Sequence, residues 1–261
     1  MKPVDYMFIV GPRRSGSTFL YHLLLQVKGF CFPDGEKESF YFQNKVLNES
    51  LYQRYFSNSR GKIISESAPY MFDDCELPKR LKKEFNKNIK FVIIYRNENN
   101  LYKSTIDHYS AYSNFRDEEE LVLKARENCN YMRNFNNWLK FFPEDSFVII
   151  NFNYLSNNSS DTLSDLVDYL GLQIDTNINY SVKKNSAVES RSKLASRIVT
   201  LSSIFLKRHN VQILHKIYHF FGVRNLIYKS KSRKKNVNEN NVSPEFMIFL
   251  KSHPNIKSIG F

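Results

Sequence analysis

Length, composition and charge set the outer limits for this chain. Its 261 residues suffice for one sizeable α/β domain but are few for two, and a formal charge of +12 favours an anionic partner. No apolar run approaches the ~18 residues of a membrane span and no secretion signal opens the chain, so we expect a cytoplasmic protein or, alternatively, an excised luminal domain. The three cysteines lie far apart without a Cys-x-x-Cys pair, which disfavours a disulfide framework or a zinc site.

Short apolar runs that end at turn or polar residues predict the strands of a buried sheet. They are Tyr6–Val10, Lys62–Ser65, Lys90–Tyr95 and Ser146–Ile150, of which the third is continuous and β-branched, as in the centre of a parallel sheet. Helical segments alternate with them at Phe19–Leu25, Leu101–Tyr112, Glu118–Phe142 and Thr162–Leu170. This alternation predicts an α/β fold with a central parallel β-sheet flanked by helices.

The C-terminal third has a different, basic character. It predicts helices at Arg191–Arg208 and Val211–Phe221, a lysine-rich loop at Lys229–Val242, and a last helix that opens at Ser243-Pro-Glu with an N-cap and a proline at the first helical position. We expect a single domain over 1–261, with a core at about 1–192 and a helical basic extension at about 193–261. The lysine runs at 79–83 and 229–235 are expected to be solvated surface, or alternatively to contact an anionic acceptor or membrane face.

The loop after the first strand, Gly11-Pro-Arg-Arg-Ser-Gly-Ser-Thr18, carries the main functional prediction. Gly11 and Gly16 have the spacing of a Walker A motif, which aims backbone N–H groups and a helix N-terminus at an anion. Ser17 stands where Walker A has its lysine, which disfavours ATP chemistry, and the cations lie inside the loop at Arg13 and Arg14. The pattern predicts a loop that cradles a phosphate but does not hydrolyse ATP.

A second cationic position lies at the end of the clearest strand. Arg96 follows Tyr95 directly, and Ser104 lies eight residues further on. The carboxyl ends of parallel strands are where open α/β sheets bind ligands, and an arginine fork there suits a phosphate dianion. We therefore expect Arg96 to bind a phosphate group.

Together these motifs resemble the sulfotransferases that use 3′-phosphoadenosine 5′-phosphosulfate (PAPS) and release 3′-phosphoadenosine 5′-phosphate (PAP). The phosphosulfate loop of that family is similar to Arg14-Ser-Gly-Ser-Thr18, and its 3′-phosphate grip to Arg96 with Ser104. The resemblance covers about residues 6–192 and implies PAPS as cofactor without a metal. The cofactor-binding residues that it implies are Arg13, Arg14, Ser15, Gly16, Ser17, Thr18, Arg96, Ser104, Lys184 and Asn185, the last two from a late loop that closes over the cofactor.

Further matches concern the acceptor and the catalytic base. Glu66-Ser-Ala-Pro69-Tyr70 is similar to the family's acceptor-side segment, with His108 expected on that side too. The segment from Glu36 to Phe42 resembles the Lys-Glu-x-x-Phe-Phe segment of the glycan sulfotransferases, which implies catalytic roles for Glu38 as general base and Lys37 as its assistant, beside Arg14 at the leaving group. His22 and His108 are the rival bases.

The leading hypothesis is sulfuryl transfer from PAPS to a hydroxyl of a carbohydrate, with no nucleic-acid partner. A tyrosyl, lipid or small-molecule acceptor stays open, as does the oligomeric state. Two other classes are alternatives: a P-loop nucleotide kinase or NTPase, which Ser17 disfavours, and a basic polyanion-binding module, which explains the charge but not the positions of Arg14 and Arg96 at strand ends.

Overall fold

The computed structural model describes residues 3–34, 36–112, 117–174, 177–181, 188–190, 228–230 and 242–261. The chain divides into two compact units. The first comprises Met1–Leu101, Asn128–Lys184 and Asn238–Phe261, and the second comprises Tyr102–Glu127 and Asn185–Val237. Within the described ranges no helix is long and apolar enough to cross a membrane. The domain boundaries expected from the sequence stay a prediction.

The first unit is built on a six-stranded sheet in which every neighbouring pair is parallel. The strands in the described ranges are β1 (Tyr6–Gly11), β2 (Phe30–Cys31), β3 (Ile63–Ser67), β4 (Ile89–Tyr95), β5 (Phe147–Asn151), β6 (Val188–Ser190), β7 (Tyr228–Ser230) and β8 (Lys257–Ile259). The order in the large sheet is β2-β3-β1-β4-β5-β8, whereas β6 and β7 form an antiparallel pair in the second unit. The predicted α/β fold with a central parallel sheet is confirmed.

Helices follow most of the strands, as the alternation of patterns predicts. They are α1 (Ser17–Leu24), α2 (Glu49–Gln53), α3 (Leu77–Glu84), α4 (Glu98–Tyr112), α5 (Glu118–Cys129), α6 (Tyr131–Leu139), α7 (Phe152–Asn157), α8 (Ser159–Tyr169) and α9 (Pro244–Ser252). Ser243 caps α9 by accepting a hydrogen bond from the Phe246 N–H, which confirms the last predicted helix. The two predicted basic helices between residues 191 and 221 lie outside the described residues.

The two faces of the sheet bury different kinds of side chain. Because successive residues of a strand point to opposite faces, Met7 and Ile9 pack with aliphatic residues of α1 and α8, whereas Phe8 faces a cluster of aromatic rings. All seven residues of β4 are buried, as expected for a central strand covered on both sides. The sheet is therefore a rigid support for the loops that leave its carboxyl edge.

Two expectations about elements need correction. The single helix predicted over Glu118–Phe142 is wrong, because the chain breaks between α5 and α6 at Asn130, whose side chain accepts a hydrogen bond from the Arg133 N–H and starts the second helix. The loop predicted from Lys229 is wrong at its start, because residues 228–230 pair as a strand with β6. The remainder of that loop up to residue 241 lies outside the described residues.

The order of the strands places two loops side by side. β1 lies between β3 and β4, so the chain leaves β1 toward one half of the sheet and later returns to build the other half. A crevice forms outside the carboxyl ends of the strands at such a reversal, and it is the usual ligand site of an open α/β sheet. Here the loop after β1 and the turn after β4 border that crevice.

Candidate active site

The loop between β1 and α1 has the backbone that its glycines allow. Gly11 has a φ of +127°, and a Cβ there would lie 2.5 Å from the carbonyl oxygen of Pro69. Gly16 has a φ of +110°, and a Cβ there would lie 2.7 Å from the ring of Phe152. Both positions therefore require glycine for conformation and for space. The loop can turn sharply and still pack closely against its neighbours.

The N-terminus of α1 is the part of this loop that is best suited to an anion. Gly16 is the N-cap, and its carbonyl oxygen accepts from the amides of Phe19 and Leu20. The amides of Ser17 and Thr18 come before these and donate to no group in the described part of the chain. N–H groups of this kind, reinforced by the helix dipole, suit a phosphate or sulfate.

Arg14 and Arg96 connect the two loops directly. Arg14 is half-buried and has a φ of +69°, and its carbonyl oxygen accepts a hydrogen bond of 3.0 Å from Nη1 of Arg96. The guanidinium of Arg96 lies 4.8 Å from the ring centre of Phe152, the same ring that covers Gly16. The structure thus brings both predicted arginines to one site, with Phe152 beneath it.

The side chains of Arg13 and Ser15 make contacts within the protein. Nη1 of Arg13 donates to both carboxylate oxygens of Asp73, at 2.8 and 2.7 Å. The Ser15 hydroxyl is fully buried and donates to the carbonyl oxygen of Pro12 at 2.7 Å. In this structure both side chains brace the loop, and their role as cofactor ligands stays a prediction.

Lys37 and Glu38 form an ion pair of 2.8 Å, and each side chain is about one-fifth exposed. The next residue, Ser39, donates to both oxygens of Glu66, from its N–H and from its hydroxyl, each at 2.8 Å. Phe40 has a φ of +57° and stacks on Tyr70 with ring centres 5.7 Å apart. Contacts along this segment therefore hold it against the end of β3 and the turn that follows.

Glu66 is a fully buried carboxyl group on β3. Besides Ser39, the Tyr52 hydroxyl donates to it at 2.8 Å. Burial raises its pKa to about 7, although the hydrogen bonds from Ser39 and Tyr52 oppose the rise. Glu66 can therefore change its charge near neutral pH while it holds the segment that carries Glu38.

The acceptor-side segment contributes two buried hydroxyl groups. Neither the Ser67 nor the Tyr70 hydroxyl oxygen has a hydrogen-bond partner in the described part of the chain, and the Phe42 backbone lies near Tyr70 without reaching hydrogen-bonding geometry. Burial and the carboxylates of Glu66 and Glu38 raise the pKa of Tyr70, so its hydroxyl stays protonated. Pro69 is buried beside them, with its carbonyl against Gly11.

His22 is a half-buried histidine near the end of α1. Burial lowers its pKa, and the positive charge of Lys37 lowers it further. A neutral imidazole near Lys37 keeps His22 as a rival base. Glu66, Lys37 and His22 thus lie on the first unit together with both arginine loops.

The other predicted site residues belong to the second unit or lie outside the described residues. Ser104 is buried and His108 half-buried on the part of α4 that belongs to the second unit. Lys184 and Asn185 lie outside the described residues. In the described part of the chain no group of three or more His, Cys, Asp or Glu side chains could hold a metal ion.

Some residues of the site could not be predicted from the sequence motifs. Asp73 pairs with Arg13, Asn128 and Tyr131 bond the backbone of the two loops, and Phe152 supports Gly16 and Arg96. Of these residues only Phe152 could have been suspected from the sequence, because it directly follows β5 at the carboxyl edge of the sheet. The others are joined to their partners by contacts between distant parts of the chain.

Comparison with known proteins identifies the class to which this fold and site belong. The sequence profile described as "Sulfotransferase domain" matches residues 5–216. A search of curated protein sequences finds no match. Among solved structures, a sulfotransferase from Alicyclobacillus acidocaldarius has a TM-score of 0.57 and 20% identity over 71% of this chain and 87% of that one. The sulfotransferase domain of the Synechococcus PCC 7002 olefin synthase has a TM-score of 0.51 and 13% identity over 69% and 80%.

The chain therefore belongs to the sulfotransferase domain family, and it is a PAPS-dependent sulfotransferase. The two structural similarities confirm the fold, and the family match confirms the resemblance that the motifs carry. Family membership also decides against a nucleotide kinase and against a polyanion-binding module as the class of this protein.

Proposed function

We propose that this sulfotransferase acts on a hydroxyl of a carbohydrate, with Glu38 as the general base. The observation that carries the proposal is the place of the Lys37–Glu38 ion pair, on a segment held to β3 through Ser39 and Glu66. That segment has the sequence similarity to glycan sulfotransferases, and the Glu38 carboxylate, about one-fifth exposed, can accept a proton.

The residues around the loop fit a donor with phosphate groups at both ends. The amides of Ser17 and Thr18 lack acceptors in the described part of the chain, and Arg14 adds a positive charge to the same loop. Arg96 lies at the neighbouring strand end, and its guanidinium fork suits a second phosphate. PAPS, when bound, supplies the sulfuryl group that is transferred and leaves as PAP.

Roles for individual residues follow from chemistry and position. We assign the 5′ end of the cofactor to residues 14–18, with Arg13 and Ser15 shaping that loop, and the 3′-phosphate to Arg96 with Ser104. Lys184 and Asn185 are assigned to closure over the cofactor. Because charge develops on the leaving phosphate, Arg14 would stabilise the transition state more than the ground state.

The catalytic base must be an unprotonated group close to the acceptor hydroxyl. In this scheme Glu38 takes the proton of the hydroxyl, and Lys37 keeps the carboxylate oriented and offers positive charge. His22 is the second candidate, since burial and Lys37 hold its pKa below the usual range and leave it neutral. Substitution of each residue decides between them.

The acceptor side is assigned to the end of β3 and the turn after it. Pro69 and Tyr70 form its buried wall, in which the Tyr70 hydroxyl is buried without a partner in the described part of the chain. Glu66 contributes by holding Ser39, and His108 is assigned to the same side.

The test measures transfer of labelled sulfate from PAPS to three acceptor types: polysaccharides, tyrosyl peptides and small phenols or lipids. We expect transfer to a polysaccharide, and transfer to peptides or phenols alone would overturn the carbohydrate assignment. Calorimetry with PAP separates cofactor binding from turnover. Retained activity in Glu38→Gln together with lost activity in His22→Gln would move the base to His22.

A further inference from the structure

The junction between α5 and α6, residues 128–131, bonds the main chain of both arginine loops. At one end, the Asn128 side chain accepts from the Arg13 N–H at 2.9 Å and donates to the Arg13 carbonyl oxygen at 3.1 Å. At the other end, the Tyr131 hydroxyl accepts from the Arg96 N–H at 2.9 Å and donates to the Ile94 carbonyl oxygen at 3.0 Å. The two anchoring residues, one for each loop, are thus only three positions apart in the sequence. We call residues 128–131 the helix junction.

Burial makes these four hydrogen bonds strong and specific. Asn128 is fully buried and Tyr131 is 2% exposed. Hydrogen bonds shielded from water are stronger electrostatically, and leaving either backbone group without a partner would be costly. Burial also raises the pKa of Tyr131, so the hydroxyl keeps the proton that it donates to Ile94.

The anchors bond backbone groups of the two loops and not the arginine side chains. Asn128 bonds the peptide groups of Arg13, one residue before Arg14, and Tyr131 bonds the amide of Arg96 rather than its guanidinium. The guanidinium of Arg96 has several N–H donors, of which Nη1 bonds the carbonyl oxygen of Arg14. The main-chain anchors can therefore persist when the side-chain donors turn to a phosphate.

We infer that the helix junction sets the separation of the two phosphate-binding loops and thereby selects a nucleotide that carries phosphate at both ends. The inference rests on the proposed cofactor roles of the two loops. Asn128 and Tyr131 are then positioning residues that do not touch the cofactor. A nucleotide with two phosphate groups binds both loops at once, so its affinity depends on the distance between them. A nucleotide with one phosphate binds a single loop, which can adjust its position without regard to the other.

The experiment compares PAP with 5′-AMP and adenosine 3′-phosphate by calorimetry, in the wild-type chain, Tyr131→Phe and Asn128→Ala. We expect PAP affinity to fall roughly tenfold in each variant, the equivalent of about 1.4 kcal/mol. The affinities for the two monophosphates should change less than about twofold, since each loop alone can still close around one phosphate. A purely structural role would lower all three affinities by the same factor.

Tyr95→Phe is the matched control. The Tyr95 ring lies in the same aromatic cluster, with its centre 5.0 Å from that of Tyr131. Its hydroxyl, however, bonds the Glu98 side chain and the Ser243 N–H rather than the main chain of Arg13 or Arg96. It should keep the wild-type ratio of PAP to monophosphate affinity. If Asn128→Ala does not fold, Tyr131→Phe, which removes one oxygen atom, carries the test by itself.

The outcomes separate this inference from the proposed function. A wild-type chain that prefers PAP, with the same preference in both variants, overturns the inference and leaves the proposed function standing. A wild-type chain without preference for PAP over the monophosphates contradicts the proposed cofactor roles, and the inference falls with them. A reduced preference for PAP in Tyr131→Phe and Asn128→Ala, with an unchanged preference in Tyr95→Phe, supports the inference.

Discussion

Nη1 of Arg96 donates a hydrogen bond of 3.0 Å to the carbonyl oxygen of Arg14, across the carboxyl ends of two neighbouring strands. The two arginines are 82 positions apart in the chain, yet this contact joins the loops that carry them. Because Arg14 has a left-handed backbone, its carbonyl turns toward Arg96. The charged side chain of Arg96 is thereby held against the main chain of the loop that carries Arg14.

The first prediction concerns the charge of Arg14. Arg14→Asn should lower kcat with PAPS by roughly 10²-fold, the scale for loss of one preorganised charge stabiliser in a transition state. Asparagine is the better replacement than alanine, because it tolerates the φ of +69° and so removes the charge with little backbone strain. Steady-state kinetics at saturating PAPS and acceptor measure the effect.

Arg14→Lys is the control, since it keeps the positive charge but not the planar guanidinium. It should retain more activity than Arg14→Asn. Equal turnover in the wild type and in Arg14→Asn would show that Arg14 does not stabilise the leaving group.

The second prediction concerns Gly16. In Gly16→Ala the new Cβ would lie 2.7 Å from the Phe152 ring, and alanine would have to adopt a φ of +110°. We expect a loss of about 1–3 kcal/mol in the free energy of unfolding. We also expect a large loss of PAP affinity, because the loop must move to relieve the close contact with Phe152 and the strained φ of the alanine. Urea unfolding and calorimetry measure the two effects.

Gly61→Ala is the control that separates backbone strain from a change at the cofactor loop. Gly61 also has a positive φ, +70°, but nothing lies within 4 Å of a Cβ there. It should lose stability by a similar mechanism and keep its PAP affinity. If Gly16→Ala binds PAP as the wild type does, the close packing of Phe152 against this loop has no bearing on cofactor binding.

The third prediction concerns the general base. Glu38→Gln should lower turnover by roughly 10²–10⁴-fold and leave PAP affinity near the wild-type value, as expected when a base is removed and the cofactor site is not. Loss of the ion pair with Lys37 should cost less than about 1 kcal/mol of stability, since both side chains are partly exposed. Glu36→Gln, on the same segment, is the control and should keep its activity.

The motif at the end of β1 was predictable because its information is local. An apolar run stops at Gly11, and glycines, arginines and hydroxyl residues follow at a fixed spacing before a helix. The turn after β4 was predictable for the same reason, since a continuous apolar strand ends at Arg96. Parallel strands bring their carboxyl ends to one edge, so the topology alone predicts that the two meet.

The helix junction was not predictable, and the reason is physical. Residues 118–142 have helical spacing throughout, but Asn128 bonds Arg13 across 115 positions and Tyr131 bonds Arg96 across 35. These tertiary bonds, with Asn130 as a cap, outweigh the local preference for one long helix. The Arg13–Asp73 ion pair could not be predicted either, because nothing in the local sequence distinguishes a paired arginine from one that binds a ligand.

The fourth prediction concerns pH and Glu66. Burial raises the pKa of this carboxyl to about 7 in the folded protein, above the value of 4.5 for an ordinary glutamate. Between these pH values the folded state binds a proton that the unfolded state has released. The resulting stabilisation is fully present below about pH 4.5 and is lost as the pH rises through about 7, for a total of about 3 kcal/mol.

Glu66→Gln removes this titration and should abolish that part of the pH dependence. Urea unfolding of the wild type and the variant between pH 4.5 and 8 measures it: the free energy of unfolding of the wild type should fall with rising pH relative to the variant. Glu119→Gln, an exposed glutamate on α5, should follow the wild-type curve. Parallel curves for the wild type and Glu66→Gln would mean that the carboxyl group is ionised throughout this range, with Ser39 and Tyr52 stabilising its charge against the effect of burial.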